Sequence, residues 1–98
     1  MNITKNNMFR LVTNSLRGCN EIVPLPDKRS VWFRLTEEGT YTMSWGSYPQ
    51  RMIATIYPIK TGPLLEIEVY EQGRIASRLT EHPSPWQLRK LGMIRKEE

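Results

Sequence analysis

Glu66 and Glu68 are the residues whose spacing most resembles a chemical site, because alternate residues of a β-strand project from one face. Paired carboxylates can act as general acid and base on a glycoside, or they can bind a metal ion. A metal ion would need further oxygen ligands, and Asp27 is the only aspartate of the 98-residue chain. A chain of this length also offers little room for a glycosidase cleft. We therefore interpret the pair as structural, with Glu66 opposite Arg78 in a cross-strand ion pair.

A second candidate site centres on His82, the single histidine. A metal-independent ribonuclease could use this side chain as its base, with Arg74 and Arg78 on the scissile phosphate. A lone histidine in a loop before a helix is more often a surface residue, so a ribonuclease is the least favoured hypothesis. Cys19, the single cysteine, lies at the expected end of a helix and indicates an unreactive thiol. We accordingly predict that the protein is not an enzyme and binds no metal and no cofactor.

Two segments predict helices on either side of a run of strands. Residues 5–17 carry apolar side chains four apart, and Thr4 and Gly18 suit the start and end of this helix. Residues 84–91 begin with Ser84 as an N-cap, followed by a proline that suits the first helical turn. The sequence thus predicts an N-terminal helix and a short C-terminal helix.

From residue 31 onward the apolar period changes to two, which predicts β-strands. The predicted strands are residues 31–36, 41–45, 52–59, 64–70 and 74–80. The expected cross-strand neighbours are Leu35 with Tyr41, Trp45 with Met52, Ile56 with Ile67, Ala54 with Val69, and Val69 with Ile75. This register keeps one face apolar across all five strands, because register in a sheet is a matter of parity. We predict an α+β fold: a five-stranded antiparallel β-meander, either a twisted sheet or a partial barrel.

The same register predicts an unusual row on the opposite face of the sheet. That row reads Trp32, Ser44, Ile53, Tyr70 and Arg74. One interpretation is that the helices divide between the two faces and one of them covers the row. Another is a docking surface for a partner or for a second copy, since Trp, Tyr and Arg are enriched in interfaces. On this interpretation the predicted partner-binding residues are Trp32, Ile53, Tyr70 and Arg74, together with Tyr48 and Arg51 from the next connection.

A third interpretation is that the aromatic row stacks unpaired bases. Arg34, Arg74 and Arg78 would then contact the phosphates of a single-stranded nucleic acid. Glu66 and Glu68 on the same face count against this alternative, because carboxylates repel phosphate. Nucleic acid is therefore the second choice of partner.

Composition places the chain in the class of small globular proteins. With 39% hydrophobic and 24% charged residues over 98 positions, we predict a single domain spanning residues 1–98. The formal net charge of +4 favours anionic partners only mildly. The chain has no apolar run of membrane-spanning length, its first residues do not resemble a secretory signal, and it has one thiol. We expect a cytoplasmic protein that does not enter a membrane.

A helix followed by a five-stranded antiparallel meander is similar in order to Sm-like RNA-binding proteins and other small barrels. This is an analogy of architecture that transfers no residue, and the second helix departs from it. From its size and its lack of catalytic groups, we predict a small non-catalytic protein-binding module. Inhibitors, immunity proteins and adaptors from bacterial or phage accessory systems are of this type, and the module could also self-associate into a homodimer.

Overall fold

The computed structural model describes residues 3–17, 23–59 and 62–92. Its elements are α1 (Lys5–Arg17), β1 (Trp32–Leu35), β2 (Tyr41–Ser47), β3 (Gln50–Tyr57), β4 (Leu64–Glu71), β5 (Arg74–Glu81) and α2 (Pro85–Lys90). The strands form one antiparallel sheet in the order β1-β2-β3-β4-β5. The predicted fold class is confirmed, and the sheet is open, with β1 and β5 as its two edges. The predictions for Gly18 and Cys19 lie outside the described residues.

Both helices begin as the sequence predicts. The Thr4 side-chain oxygen accepts from the backbone N–H of Asn7 at 3.1 Å, which caps α1. In α2, Ser84 accepts from the backbone N–H of Gln87 at 3.1 Å, and a proline occupies the first turn. These caps satisfy backbone donors that have no partner within the helix.

The hydrophobic core lies between the two helices and one face of the sheet. Met8, Leu11, Val12 and Leu16 of α1 are buried in this core, together with alternate residues of β2, β3 and β4. Leu88 and Leu91, from α2 and the residue after it, belong to the same buried cluster. The expectation that the helices divide between the two faces is therefore wrong. The opposite face, which we call the outer face, has no described helix packed on it.

The first two hairpins have the predicted register. Leu35 pairs with Tyr41, and Trp45 pairs with Met52. The loop between β1 and β2 contains Gly39, whose φ of 83° is a conformation that glycine adopts readily. The connection between β2 and β3 is shorter than predicted, because both strands extend to the turn at Tyr48–Pro49, whose peptide bond is cis.

In the third hairpin, the pairing register of β3 with β4 is shifted by two residues from the predicted register. Ile56 pairs with Leu65 and Ala54 with Ile67, so the apolar face is right but the register is shifted. The physical reason is Pro58, which has no N–H to donate to a ladder. β3 accordingly ends at Tyr57 and not at residue 59.

The fourth hairpin also differs, because its turn is tighter than expected and a bulge follows it. Gln72 and Gly73 have φ of 53° and 79°, and they form a two-residue turn between paired Glu71 and Arg74. A register shift near Val69 and Tyr70 then places one extra residue on β5. As a result Ile75 pairs with Tyr70 and not with Val69, and it lies on the outer face.

Candidate docking face

The outer face has a different central row from the one predicted. Its cross-strand neighbours run Trp32, Ser44, Ile53, Glu68 and Arg78. The shifted third hairpin moves Tyr70 one row away, where it pairs with Arg51 and Ile75. Arg74 pairs with Glu71 beside the last turn. The prediction that Tyr70 and Arg74 share a row with Trp32 is therefore wrong, whereas Trp32 and Ile53 do lie in one row.

Trp32 is the most exposed tryptophan, with 77% of its surface accessible. It belongs to the edge strand β1, and its position in the alternation directs it to the outer face, away from the helices. Beside it is an open depression of about 400 Å³, lined among others by Arg34, Ser44, Arg51 and Ile53. We call the five residues Trp32, Arg34, Ser44, Arg51 and Ile53 the Trp32 patch.

The Trp32 patch carries two cations that no carboxylate of the described residues neutralises. Arg51 donates from Nη2 to the Ser44 hydroxyl oxygen at 3.2 Å, which holds its guanidinium over the outer face. Within residues 3–17, 23–59 and 62–92, the ion pairs involve Arg78 and not Arg34 or Arg51. One concave area thus contains an exposed tryptophan, a half-buried isoleucine and these two arginines.

On the side of the outer face formed by β4 and β5, charged side chains are engaged in ion pairs with one another. Arg78 Nη2 lies 2.9 Å from Glu68 Oε2, and its Nε lies 3.8 Å from Glu66 Oε2. The predicted ion pair is therefore present, although Glu66 pairs in the ladder with Thr80 and Glu68 is the direct neighbour of Arg78. Both carboxylates of the candidate acid–base pair are occupied by this arginine.

Tyr57 extends the same network. Its hydroxyl donates to Glu66 Oε1 at 3.3 Å. Partial burial, and then the negative charge of Glu66, raises the pKa of Tyr57 above its ordinary value. In this half of the face two carboxylates share one arginine and one tyrosine hydroxyl, in contrast to the Trp32 patch, which holds two arginines that form no ion pair with a described residue.

The residues proposed for a ribonuclease are not brought together. Arg74 and His82 lie at opposite ends of β5, eight residues apart in sequence, and about 25 Å apart at the usual rise of a strand. Arg78 is engaged by Glu66 and Glu68. Among the described residues, no group of three or more His, Cys, Asp and Glu is placed to hold a metal ion.

The three arginines of the nucleic-acid alternative are also dispersed. Arg34 is on β1 and Arg78 on β5, the two edges of the sheet, which at the usual strand spacing are about 19 Å apart. Arg74 is beside the turn that follows β4. Sequence reasoning assigned Arg34 to the nucleic-acid alternative and did not include it among the partner-binding residues. The structure places Arg34 beside Trp32, as expected for residues two apart in a strand, which share a face.

Tyr48 lies outside the Trp32 patch. It is 79% exposed at the turn between β2 and β3. A separate hollow beside this turn is lined among others by Pro24, Trp45 and Tyr48. The predicted partner-binding residues therefore divide between two places, with Arg51 in the patch and Tyr48 at the turn.

Comparison with protein-family models, with curated proteins and with solved structures finds no match to this chain. The similarity in element order to Sm-like RNA-binding proteins and other small barrels therefore has no matching structure behind it, and the sheet here is open. None of the described helices is long and apolar enough to cross a membrane.

Proposed function

We propose that this protein is a non-catalytic protein-binding module that docks an acidic segment of another protein on the Trp32 patch. Inhibitors, immunity proteins and adaptors act in this way. The observation that carries the proposal is the 77% exposure of Trp32 on a sheet face without a described helix. We further propose that the module acts in the cytoplasm, because a single cysteine offers no intramolecular disulfide.

The chemistry of the patch supports a protein partner. A tryptophan in a concave site, once covered, is the type of side chain that contributes about 2 kcal/mol or more to an interface. Ile53 adds apolar surface next to it. The depression is also open and does not enclose a ligand, which suits a segment of polypeptide more than a small ligand.

The charges of the patch support an acidic partner. Arg34 and Arg51 bring two guanidinium groups that face no carboxylate of the described chain. Guanidinium groups bind carboxylates in a bidentate geometry, so an aspartate or glutamate near an apolar side chain would complement the patch. The net charge of +4 acts in the same direction at longer range.

Single-stranded nucleic acid is the second candidate, and one observation favours it. A tryptophan beside two arginines can also stack a base and contact its phosphates. Glu66 and Glu68 stand on the same face, however, and a strand crossing the sheet would meet them. For this reason we favour the acidic polypeptide.

Selection from random peptides displayed on phage tests the proposal. Peptides are selected on the wild-type protein and then measured against Trp32→Ala and Trp86→Ala. Trp86 is the matched control, because it is 67% exposed but lies on α2, away from the patch. We expect selected peptides rich in Asp and Glu that bind Trp32→Ala at least tenfold more weakly and Trp86→Ala as they bind the wild type.

Two outcomes would contradict the proposal. One is a set of peptides whose affinity is unchanged by Trp32→Ala. The other is a mixed-sequence single-stranded oligonucleotide that binds more tightly than any selected peptide and depends on Trp32, which would assign the patch to nucleic acid.

A further inference from the structure

The two edge strands of the sheet differ in how they are protected from pairing with another chain. An edge strand is usually protected because it is short, or because it carries charged residues, a bulge or a proline. β5 is well protected, since it carries Arg74, Arg78 and Glu81 and contains the bulge. β1 has neither a bulge nor a proline, and its only protections are its length of four residues and one arginine. No described strand pairs with its free side.

The side chains of β1 are also exposed on both faces of the sheet. Trp32 is 77% exposed on the outer face and Leu35 is 59% exposed on the side of the core. A largely apolar edge without a bulge or a proline is a template for strand addition. We infer that β1 pairs antiparallel with β1 of a second copy of this chain, which joins two sheets into one.

The backbone of β1 determines which residues can pair. Thr36 donates its N–H to the carbonyl oxygen of Thr40 at 2.8 Å across the first hairpin. Since hydrogen-bonded and non-bonded pairs alternate along an antiparallel ladder, Arg34 and Trp32 also bond toward β2. Phe33 and Leu35 therefore direct their N–H and C=O groups to the free side, where a second copy can meet them.

Side-chain charge then selects one register. In a symmetric antiparallel pair, each face of one sheet continues into the same face of the other only if neighbouring side chains point the same way. A residue must therefore lie opposite the same residue of the second copy, or opposite one an even number of positions away in sequence. If Arg34 lay opposite Arg34 of the second copy, two cations would oppose each other at the closest type of pair. The register centred on Phe33 avoids this and leaves most of β1 paired.

The register centred on Phe33 is self-complementary. It places Trp32 opposite Arg34 of the second copy, where a guanidinium can stack on the indole ring. It also places Leu35 opposite Val31 of the second copy, which covers a leucine that is 59% exposed in the single chain. Phe33 exchanges both of its backbone hydrogen bonds with its own symmetry mate.

This dimer goes beyond the proposed function and does not depend on it. Ile53 and Arg51 lie on β3, away from the pairing edge, and remain open. The two Trp32 patches would lie side by side on one continuous face, with Trp32 and Arg34 of each copy at the contact between the sheets. So short a ladder buries less than a standard interface of ~1,600 Å², which predicts a dissociation constant on the order of 10 µM to 1 mM.

Sedimentation equilibrium from about 10 µM to 1 mM tests the inference. We expect the wild type to pass from monomer to dimer in this range. Leu35→Lys should remain monomeric, because it places a charge on the edge opposite Val31. Ala76→Lys is the matched control, an exposed position on the other edge strand, and it should dimerise as the wild type does. Circular dichroism confirms that each variant is folded.

A charge pair tests the register itself. Trp32→Glu and Trp32→Arg remove the same ring but place opposite charges against Arg34 of the second copy. Trp32→Glu should dimerise at least tenfold more tightly than Trp32→Arg. A wild type that stays monomeric at 1 mM, or a dimer that survives Leu35→Lys, would overturn the inference. Peptide binding by Leu35→Lys is measured separately, so failure of the dimer is distinguishable from failure of the docking proposal.

Discussion

The three tryptophans occupy three environments, so substitutions at these positions should affect partner binding and folding stability differently. Trp45 is 5% exposed, and its indole N–H donates to the carbonyl oxygen of Pro24 at 2.9 Å. Trp86 lies on α2 with the Lys90 ammonium 5.0 Å from its ring centroid. Trp32 lies outside the core on the outer face, and we propose that its exposed ring contacts the partner.

Alanine substitution should therefore affect two of these residues very differently. Trp45→Ala removes a buried ring, and we expect a loss of about 3–5 kcal/mol in the free energy of unfolding. Trp32→Ala should change that free energy by no more than about 0.5 kcal/mol, as is usual for an exposed site. Urea denaturation followed by circular dichroism measures both. Unfolding of Trp32→Ala would mean that the ring belongs to the core.

Because of Tyr57, the free energy of unfolding should depend on pH in the alkaline range. Burial and Glu66 raise its pKa in the folded state, so its contribution to stability is present below the ordinary tyrosine pKa and is lost as pH rises through the raised value. The free energy of unfolding should fall above about pH 10. In Tyr57→Phe this fall should be smaller, and equal slopes for the two proteins would contradict the assignment.

The hairpins show which parts of the sheet the sequence predicts. Apolar alternation predicts the number of strands and the faces of β1 to β4 correctly, because burial makes a shift by one residue costly. It does not predict a shift by two residues, which keeps every side chain on its face. Pro58 carried the missing information, since a proline ends the ladder.

The last hairpin shows a different limit. Glu71, Gln72 and Gly73 suggest a three-residue loop, but Gln72 adopts a positive φ of 53° and the turn has two residues. The bulge that follows depends on packing along the whole strand, not on a local motif. These two features place Arg74 opposite Glu71 beside the turn, whereas the shift of the third hairpin moves Tyr70 out of the row of Trp32.

Gly39 and Gly46 both have a positive φ, but they differ in how closely neighbouring atoms approach them. Gly39 and Gly46 have φ of +83° and +85°, but a Cβ at Gly39 meets nothing within 4 Å, whereas one at Gly46 would lie 2.8 Å from the Gln50 carbonyl oxygen. Gly39→Ala should cost about 1–2 kcal/mol, the usual cost of a positive φ. Gly46→Ala should cost at least about 1 kcal/mol more. Equal losses in urea denaturation would contradict the close approach in β2.

Taken as a whole, the molecule has one covered and one uncovered face. Both helices contribute to the core on the first face. On the second face, charge is divided: within the described chain, Glu66 and Glu68 share the single cation Arg78, whereas Arg34 and Arg51 have no ion-pair partner. Sequence composition gives only the net charge of the whole chain, +4, and not this separation of charges.

This separation predicts how binding responds to salt. A selected acidic peptide held by Trp32 and two arginines should lose less than about tenfold in affinity when salt rises tenfold. A single-stranded nucleic acid with only two phosphate contacts should lose about 25-fold over the same range. Fluorescence anisotropy of labelled ligand at both salt concentrations distinguishes the two partners.

The most direct measurement of the docking claim uses the indole N–H resonances of the three tryptophans, one from each environment. In a two-dimensional ¹H–¹⁵N spectrum, a selected acidic peptide is titrated into the protein at a concentration below that of dimer formation. We predict that the Trp32 signal shifts while those of Trp45 and Trp86 remain in place. A shift confined to Trp86, or equal shifts of all three, would contradict a docking site on the outer face.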